Sequence, residues 1–423
     1  MPTVGAARHA ALPNVSPLQH IVILTMENRS FDSMFGAYPG ANGIQSPGIC
    51  DPDPRNGGCV YAYHDTSLFN HGGPHSDRAE LTDLDGGLMD GFVATAEKPP
   101  GRHHDNFPLE VMGYHTCDEL PTYCDLAAHG VLADNAFAPT TSWSTMAHLF
   151  MVSGWSAKCA TPGDPMSCTS FNSVNVRSNP RPDFAWTDIT WLLHANGVSW
   201  AYYVYDKTNP FVQGDGDDES DDEVANPYDV YNKMGKWNPL PGFDDVAIDG
   251  EIGNIQPGVN FEAAASAGTL PSVVWVVPSF DNSDHPPQSL ANGQAWVQRM
   301  VNAVENGPDA SSTLVILWWD EWGGFSDHVV PPIVDGLGYG FRVPMILYGP
   351  LVKAGTIDHQ LLSSDAYLKL IEDTFLGGAR LDANDGRPDS RPDVRENYAG
   401  LGDLRLDLNT GSSKRPAIPA RRP

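Results

Sequence analysis

The sequence predicts an α/β protein: an α/β/α sandwich around a mainly parallel central sheet, with long loop insertions. Three observations predict it. Short apolar runs rich in β-branched and aromatic residues recur, at residues 20–26, 199–205, 272–277, 313–319 and 343–348. These runs are continuous instead of alternating, the pattern of strands buried on both faces. Helix-like stretches at 186–196, 293–306 and 365–376 lie between them, and strands alternating with helices make layered α/β domains.

The bulk composition agrees. The chain has 423 residues, is 41% hydrophobic and is only 18% charged, enough apolar material for a large buried core. Gly 41 and Pro 36 call for long ordered loops. The formal net charge of −28 repels nucleic acid and anionic membrane surfaces and moves both down the list of expected partners. No apolar run approaches the ~20 residues that would span a bilayer. The oligomeric state stays open.

Two regions depart from the strand–helix rhythm. Residues 41–110 are rich in Gly, Pro, His and Asp, and residues 206–250 hold the acidic run DGDDESDDE at 215–223. That run does not have EF-hand spacing, so a solvated acidic loop is expected and a calcium site is the lesser reading. The division expected is an extension over 1–18, one domain over 19–400 with insertions near 41–110 and 206–250, and a basic tail over 401–423. The N-terminus shows no secretory signal pattern. Six cysteines fall in three close pairs, Cys50 with Cys59, Cys117 with Cys124 and Cys159 with Cys168. Their spacings are not those of zinc sites, and local disulfides in an oxidising compartment, secreted or periplasmic, are the better expectation.

Ligands of open α/β sheets bind beyond the carboxyl ends of the strands, so the residues after each run carry the chemistry. After 20–26 come Glu27, Asn28, Arg29, Ser30, Phe31 and Asp32. After 272–277 come Asp284 and His285, and after 313–319 come Asp320, Glu321, Asp327 and His328. Carboxylates with imidazoles and no thiolates suit a divalent metal ion such as Mg, Mn, Ca or Zn. Glu27 and Asn28 have a bland alternative as helix-start residues, and His328 as a histidine satisfied by Asp327. A fourth segment, 139–155, sets Thr140, Thr141, Ser142, Ser144 and Thr145 before an apolar helix. A hydroxyl there serves either as a cap or as a nucleophile.

The motifs ENRSFDSMFGAYPG, GGPHS, GGLMDGF, SWSTMAHLFMVSGWSAKC, SDHPP, DEWGGFSDHVVPP and GYGFRVPMI occur in this order over about residues 19–400. In this the chain resembles bacterial phosphoesterases, a family of phosphatidylcholine-type phospholipases C and acid phosphatases in the alkaline-phosphatase-like superfamily. The resemblance implies an α/β/α fold and a metal-dependent phosphoric ester hydrolase. It implies metal or phosphate ligands at Glu27, Asn28, Ser144, Asp320 and Glu321, where many relatives carry Asp-Asp in place of the last two. It implies a nucleophile at Ser144, reached by counting back from Ser153-Gly154, with Thr140 and Thr141 as fallbacks because many relatives have Pro where Met146 stands. His285 and His328 fall on motif histidines, and His75 in GGPHS is a further candidate.

The implied substrate is a phosphate ester. A choline phospholipid leads, and the net charge gives it slight help against dianionic monoesters. Trp143, Trp155 and Trp322 are candidates for a cation–π headgroup pocket, whereas Trp318 and Trp319 belong to the core. The alternatives are an acid phosphatase on soluble monoesters and, remotely, a non-catalytic calcium-binding module. A sulfatase is disfavoured, because SWSTMAH lacks the Arg of a C/S-x-P-x-R signature.

Overall fold

A computed structural model describes residues 18–44, 48–97, 109–176, 178, 182–205, 235–382 and 387–409. The acidic run 215–223 and the basic tail from 410 onward lie outside the described residues.

Eight strands form the central sheet. In chain order they are β1 (His20–Met26), β2 (Val131–Ala133), β3 (Trp200–Val204), β4 (Ile255–Pro257), β5 (Val273–Val277), β6 (Thr313–Trp319), β7 (Met345–Tyr348) and β8 (Thr356–Asp358). Across the sheet they run β4-β3-β5-β1-β6-β7-β2-β8. All neighbours pair parallel except β7, which is antiparallel to both β6 and β2. The continuous apolar runs are explained by burial: every residue of β5 and β6 is buried, as is all of β1 after His20.

Helices cover both faces, preceded in the chain by the short α1 (Phe31–Phe35) and α2 (Asp77–Leu84). On one, α3 (Pro121–His129) and α6 (Val259–Ala267) pack against the long α7 (Leu290–Glu305). On the other, α4 (Ser144–Ser153) lies between α5 (Ile189–Ala195) and α8 (Ser364–Phe375). Helix α7 shows why such segments fold this way. Its apolar residues Leu290, Trp296, Val297, Met300, Val301 and Val304 are buried at helical spacing, and Ser289 caps it by accepting from Ala291 N–H.

The described segments 48–97 and 109–112 share a small second core. Met89, Phe92, Val93, Val111 and Met112 pack with Trp322 and Phe341 from the main body. Each such aromatic burial is worth about 2 kcal/mol, so the segments are held as part of the structure. The three expected cysteine pairs are joined, Cys50–Cys59, Cys117–Cys124 and Cys159–Cys168. This is the chemistry of an oxidising compartment. Among the described residues no helix is long and apolar enough to cross a membrane.

Candidate active site

The register of β1 on β6 builds the centre of the site. His20 pairs with Thr313 and the rungs continue to Met26 with Trp319. The next residues, Glu27 and Asp320, therefore emerge side by side at the carboxyl ends of two adjacent parallel strands. Asn28 then turns the chain in a left-handed conformation, φ 58°, which Asn tolerates better than most residues. Its backbone N–H donates to Asp320 Oδ1 at 2.9 Å. The turn needs a close neighbour without a side chain: a Cβ on Gly323 would lie 2.4 Å from Asn28 O.

Helix α4 supplies the other half. Trp143 is its N-cap residue, and no side chain caps it. Ser144 is the first helical residue and is buried, and its hydroxyl lies close enough to Glu27 to hold that carboxyl's proton affinity down. One turn later, on the same face, His148 Nε2 sits 2.9 Å from Glu27 Oε1 and 4.0 Å from Asp320 Oδ2. Glu27, His148 and Asp320 place one ligand atom each within 4.8 Å of one another, all three fully buried.

The electrostatics of this group call for a cation. Burial, with help from the Glu321 charge, pushes Glu27 up to about 8. Burial and Glu27 push Asp320 well above the carboxylate range. Burial pushes His148 down to about 4, which keeps its imidazole neutral and able to ligate. Glu27 Oε2, Asn28 Oδ1, His148 Nδ1 and Asp320 Oδ2 are buried without a hydrogen-bond partner. Neither carboxylate forms an ion pair with Lys or Arg among the described residues. Buried acids left in this state are costly unless a metal ion or proton compensates them, and the donor set of carboxylate oxygens, an amide oxygen and one imidazole fits a divalent ion.

The 41–110 insertion closes the rim. His75 Nδ1 donates to Gly73 O at 2.9 Å, so its Nε2 accepts from Asn28 Nδ2 at 3.1 Å. That choice leaves Asn28 Oδ1 as the amide's unsatisfied oxygen. The His285 ring stands edge-on to His75 with centroids 5.8 Å apart. Behind it, Asp284 Oδ2 accepts from Tyr123 Oη at 2.6 Å and from Trp319 Nε1 at 3.2 Å, fixing the strand-end segment that carries His285.

The sequence expectations fare unequally. Glu27, Asn28, Asp320, Ser144, His75 and His285 come together. Glu321 is buried beside them, close enough for its charge to act on Glu27, but is not one of the three converging ligands: its Oε2 accepts from Gly323 N–H at 2.6 Å and its Oε1 stands 3.8 Å from His75 Nε2. His328 joins a different cluster. Its Nδ1 meets Asp32 Oδ2 at 2.7 Å, and Arg342 binds both Asp32, at 3.0 Å, and Asp327, at 2.9 Å. Asp32, Asp327 and His328 also lie within metal-ligand reach of one another, but this group already holds its cation in the buried Arg342 guanidinium. Thr140 Oγ1 is directed to Leu337 O at 3.5 Å. Trp155 and Trp322 are buried against Trp186 and Phe341, so ordinary packing accounts for them, while Trp143 stays half-buried. His148 was not anticipated as a site residue; its spacing of four from Ser144 is the signal that points to it.

Known proteins similar to this chain indicate its family. The model of the Phosphoesterase family matches residues 18–376. The chain is 26% identical over 418 residues to the non-hemolytic phospholipase C of Burkholderia pseudomallei, covering 85% of this chain and 55% of that one. It is 24% identical over 409 residues to phospholipase C B of Mycobacterium tuberculosis, covering 86% and 74%. It thus spans about half the length of the first and three quarters of the second. Among solved structures, a protein in the alkaline phosphatase superfamily from Vibrio parahaemolyticus overlaps with a TM-score of 0.37 at 12% identity, over 91% of this chain and 73% of that one. The lipoteichoic acid synthase LtaP from Listeria monocytogenes also gives 0.37, at 9% identity over 92% and 76%. From the match of its family model over most of the sequence, the chain belongs to the phosphoesterase family.

Proposed function

We propose that the protein is a metal-dependent phosphodiesterase of the phospholipase C type, acting on a choline phospholipid through a phosphoseryl intermediate at Ser144. The observation that carries this reading is the meeting of Ser144, at the uncapped start of α4, with the buried Glu27, His148 and Asp320. A divalent ion held by those three residues, with Asn28 Oδ1 beside it, would supply Lewis-acid polarisation and lower the pKa of a bound hydroxyl.

The chain's own groups carry the remaining steps. Ser144 Oγ releases its proton to solvent and attacks phosphorus in line, forming the phosphoseryl ester as the bond to the diacylglycerol oxygen breaks. A solvent proton returns to Ser144 Oγ when that ester is hydrolysed. The start of α4 offers its dipole to the charge on the transferring group. His285 donates Nδ1–H to Pro286 O at 2.7 Å, which leaves proton exchange to Nε2. From there it protonates the departing alkoxide and then takes a proton from the water that releases phosphorylcholine. His75 holds Asn28 in orientation.

The test is hydrolysis of p-nitrophenyl phosphorylcholine beside p-nitrophenyl phosphate, with and without chelator. Chelator-sensitive release from the choline ester is expected. Release from the monoester alone would move the assignment to an acid phosphatase, and release from neither would sink the catalytic reading.

A further inference from the structure

We propose that the apolar loop 329–334 docks the protein onto a zwitterionic phospholipid surface, an inference that rests on the phosphodiesterase reading above. The loop reads Val-Val-Pro-Pro-Ile-Val, with no charge and no hydrogen-bonding side chain. Val330 is 49% and Ile333 89% exposed. The other four residues are half-buried, so the six make one continuous apolar patch in place of a scattered exposed side chain, and such a patch suits an apolar partner.

Both ends of the loop are tied to the segments that border the site. At its start, Val329 N–H donates to Asp327 Oδ1 at 2.9 Å, and His328 is bonded to Asp32 of the segment that follows β1. At its end, Leu337 O lies 3.5 Å from both Thr140 Oγ1 and Thr141 N, just before Ser144. Between them Pro331 and Pro332 restrict the backbone, and Tyr339 N–H donates to Pro332 O at 3.3 Å. Apolar side chains fixed in this way lose little conformational freedom on insertion.

Charge decides the kind of surface. The acid nearest the loop, Asp335, is matched by Arg395 at 2.6 Å, so the tip presents no field of its own. The whole chain, at −28, is repelled by anionic lipid. A bilayer of zwitterionic headgroups has no net charge to oppose it, and it holds the phosphodiester that the adjoining site would cleave.

The experiment compares the full chain with a Val330→Ser/Ile333→Ser double variant. Cosedimentation with phosphatidylcholine vesicles is read first, then turnover of vesicles and of soluble p-nitrophenyl phosphorylcholine. We expect soluble-ester turnover within about twofold of wild type, with vesicle binding and vesicle turnover at least about tenfold lower. A wild-type chain that stays in the supernatant, or a variant that pellets equally, overturns the proposal. So does a variant that turns a dimer into a monomer on gel filtration, because the loop would then be a self-interface. Sedimentation does not depend on catalysis. Failure of the diesterase reading would therefore appear in both turnover assays and leave the sedimentation result standing.

Discussion

Ser144 and His148 share one helix face, but their substitution should separate chemistry from metal retention. Ser144→Ala removes only the attacking oxygen. Turnover should fall by more than about a thousandfold while metal content, measured on the dialysed protein by mass spectrometry, stays at the wild-type value. His148→Asn removes a ligand atom and should lower both, with metal affinity reduced by about tenfold or more. His328 gives the contrast. Because its partner is Asp32 and the cluster charge is carried by Arg342, His328→Asn should leave kcat within a few-fold of wild type and cost about 1 kcal/mol of stability in urea. A thousandfold loss of kcat would return His328 to the machinery. These residues also mark how far sequence alone reaches. Glu27 and Asp320 are legible because they end buried runs. His148 is not, because a histidine among Ala, Leu and Phe in a helix reads equally well as core. The separate cluster around His328 is not legible either, because adjacency to Asp320-Glu321 says nothing about direction, and the Arg342 guanidinium beside it comes fourteen positions later.

At the scale of elements, the site depends on two loops meeting backbone to backbone. Gly73 N–H donates to Gly323 O at 2.9 Å, and Gly324, at φ 76°, would place a Cβ 2.4 Å from Gly73. Gly324→Ala should therefore push the 70–75 segment outward and take His75 with it. We expect a lower Tm, a cost of more than about 2 kcal/mol and a loss of kcat; an unchanged Tm and kcat would show that the loops meet loosely. The long strands were legible nearly to the residue, since β1 and β6 occupy the expected runs. The three-residue strands β2, β4 and β8 were not, because so short a segment shows no period and is strand only through its neighbours' hydrogen bonds. The antiparallel entry of β7 was equally hidden, for direction is set by the path of the chain and not by composition.

For the molecule as a whole, buried acids outside the triad set the response to pH. Burial pushes Asp284 up to about 7, whereas an unfolded aspartate titrates near about 3.9. Between those values the folded chain holds the proton more tightly. This contribution to stability is complete below the unfolded pKa and is lost as the pH rises through about 7. The net charge of −28 works in the same direction by self-repulsion. Thermal unfolding should give a higher Tm at pH 5 than at pH 8, and Asp284→Asn should narrow the gap. A gap of unchanged width in that variant would assign the effect to other groups.

Glu27, His148 and Asp320 come from β1, α4 and β6, and the chain between them is long. An ion bound by all three closes two loops of more than a hundred residues each. It joins the central pair of strands to a helix on one face, as a cross-link would. Unfolded chain does not assemble that set, so binding energy is returned as resistance to unfolding, growing with the logarithm of free ion concentration. A melting series with increasing Mg, Mn, Ca or Zn should show Tm climbing steadily for the ion that fits, and His148→Asn should flatten the climb.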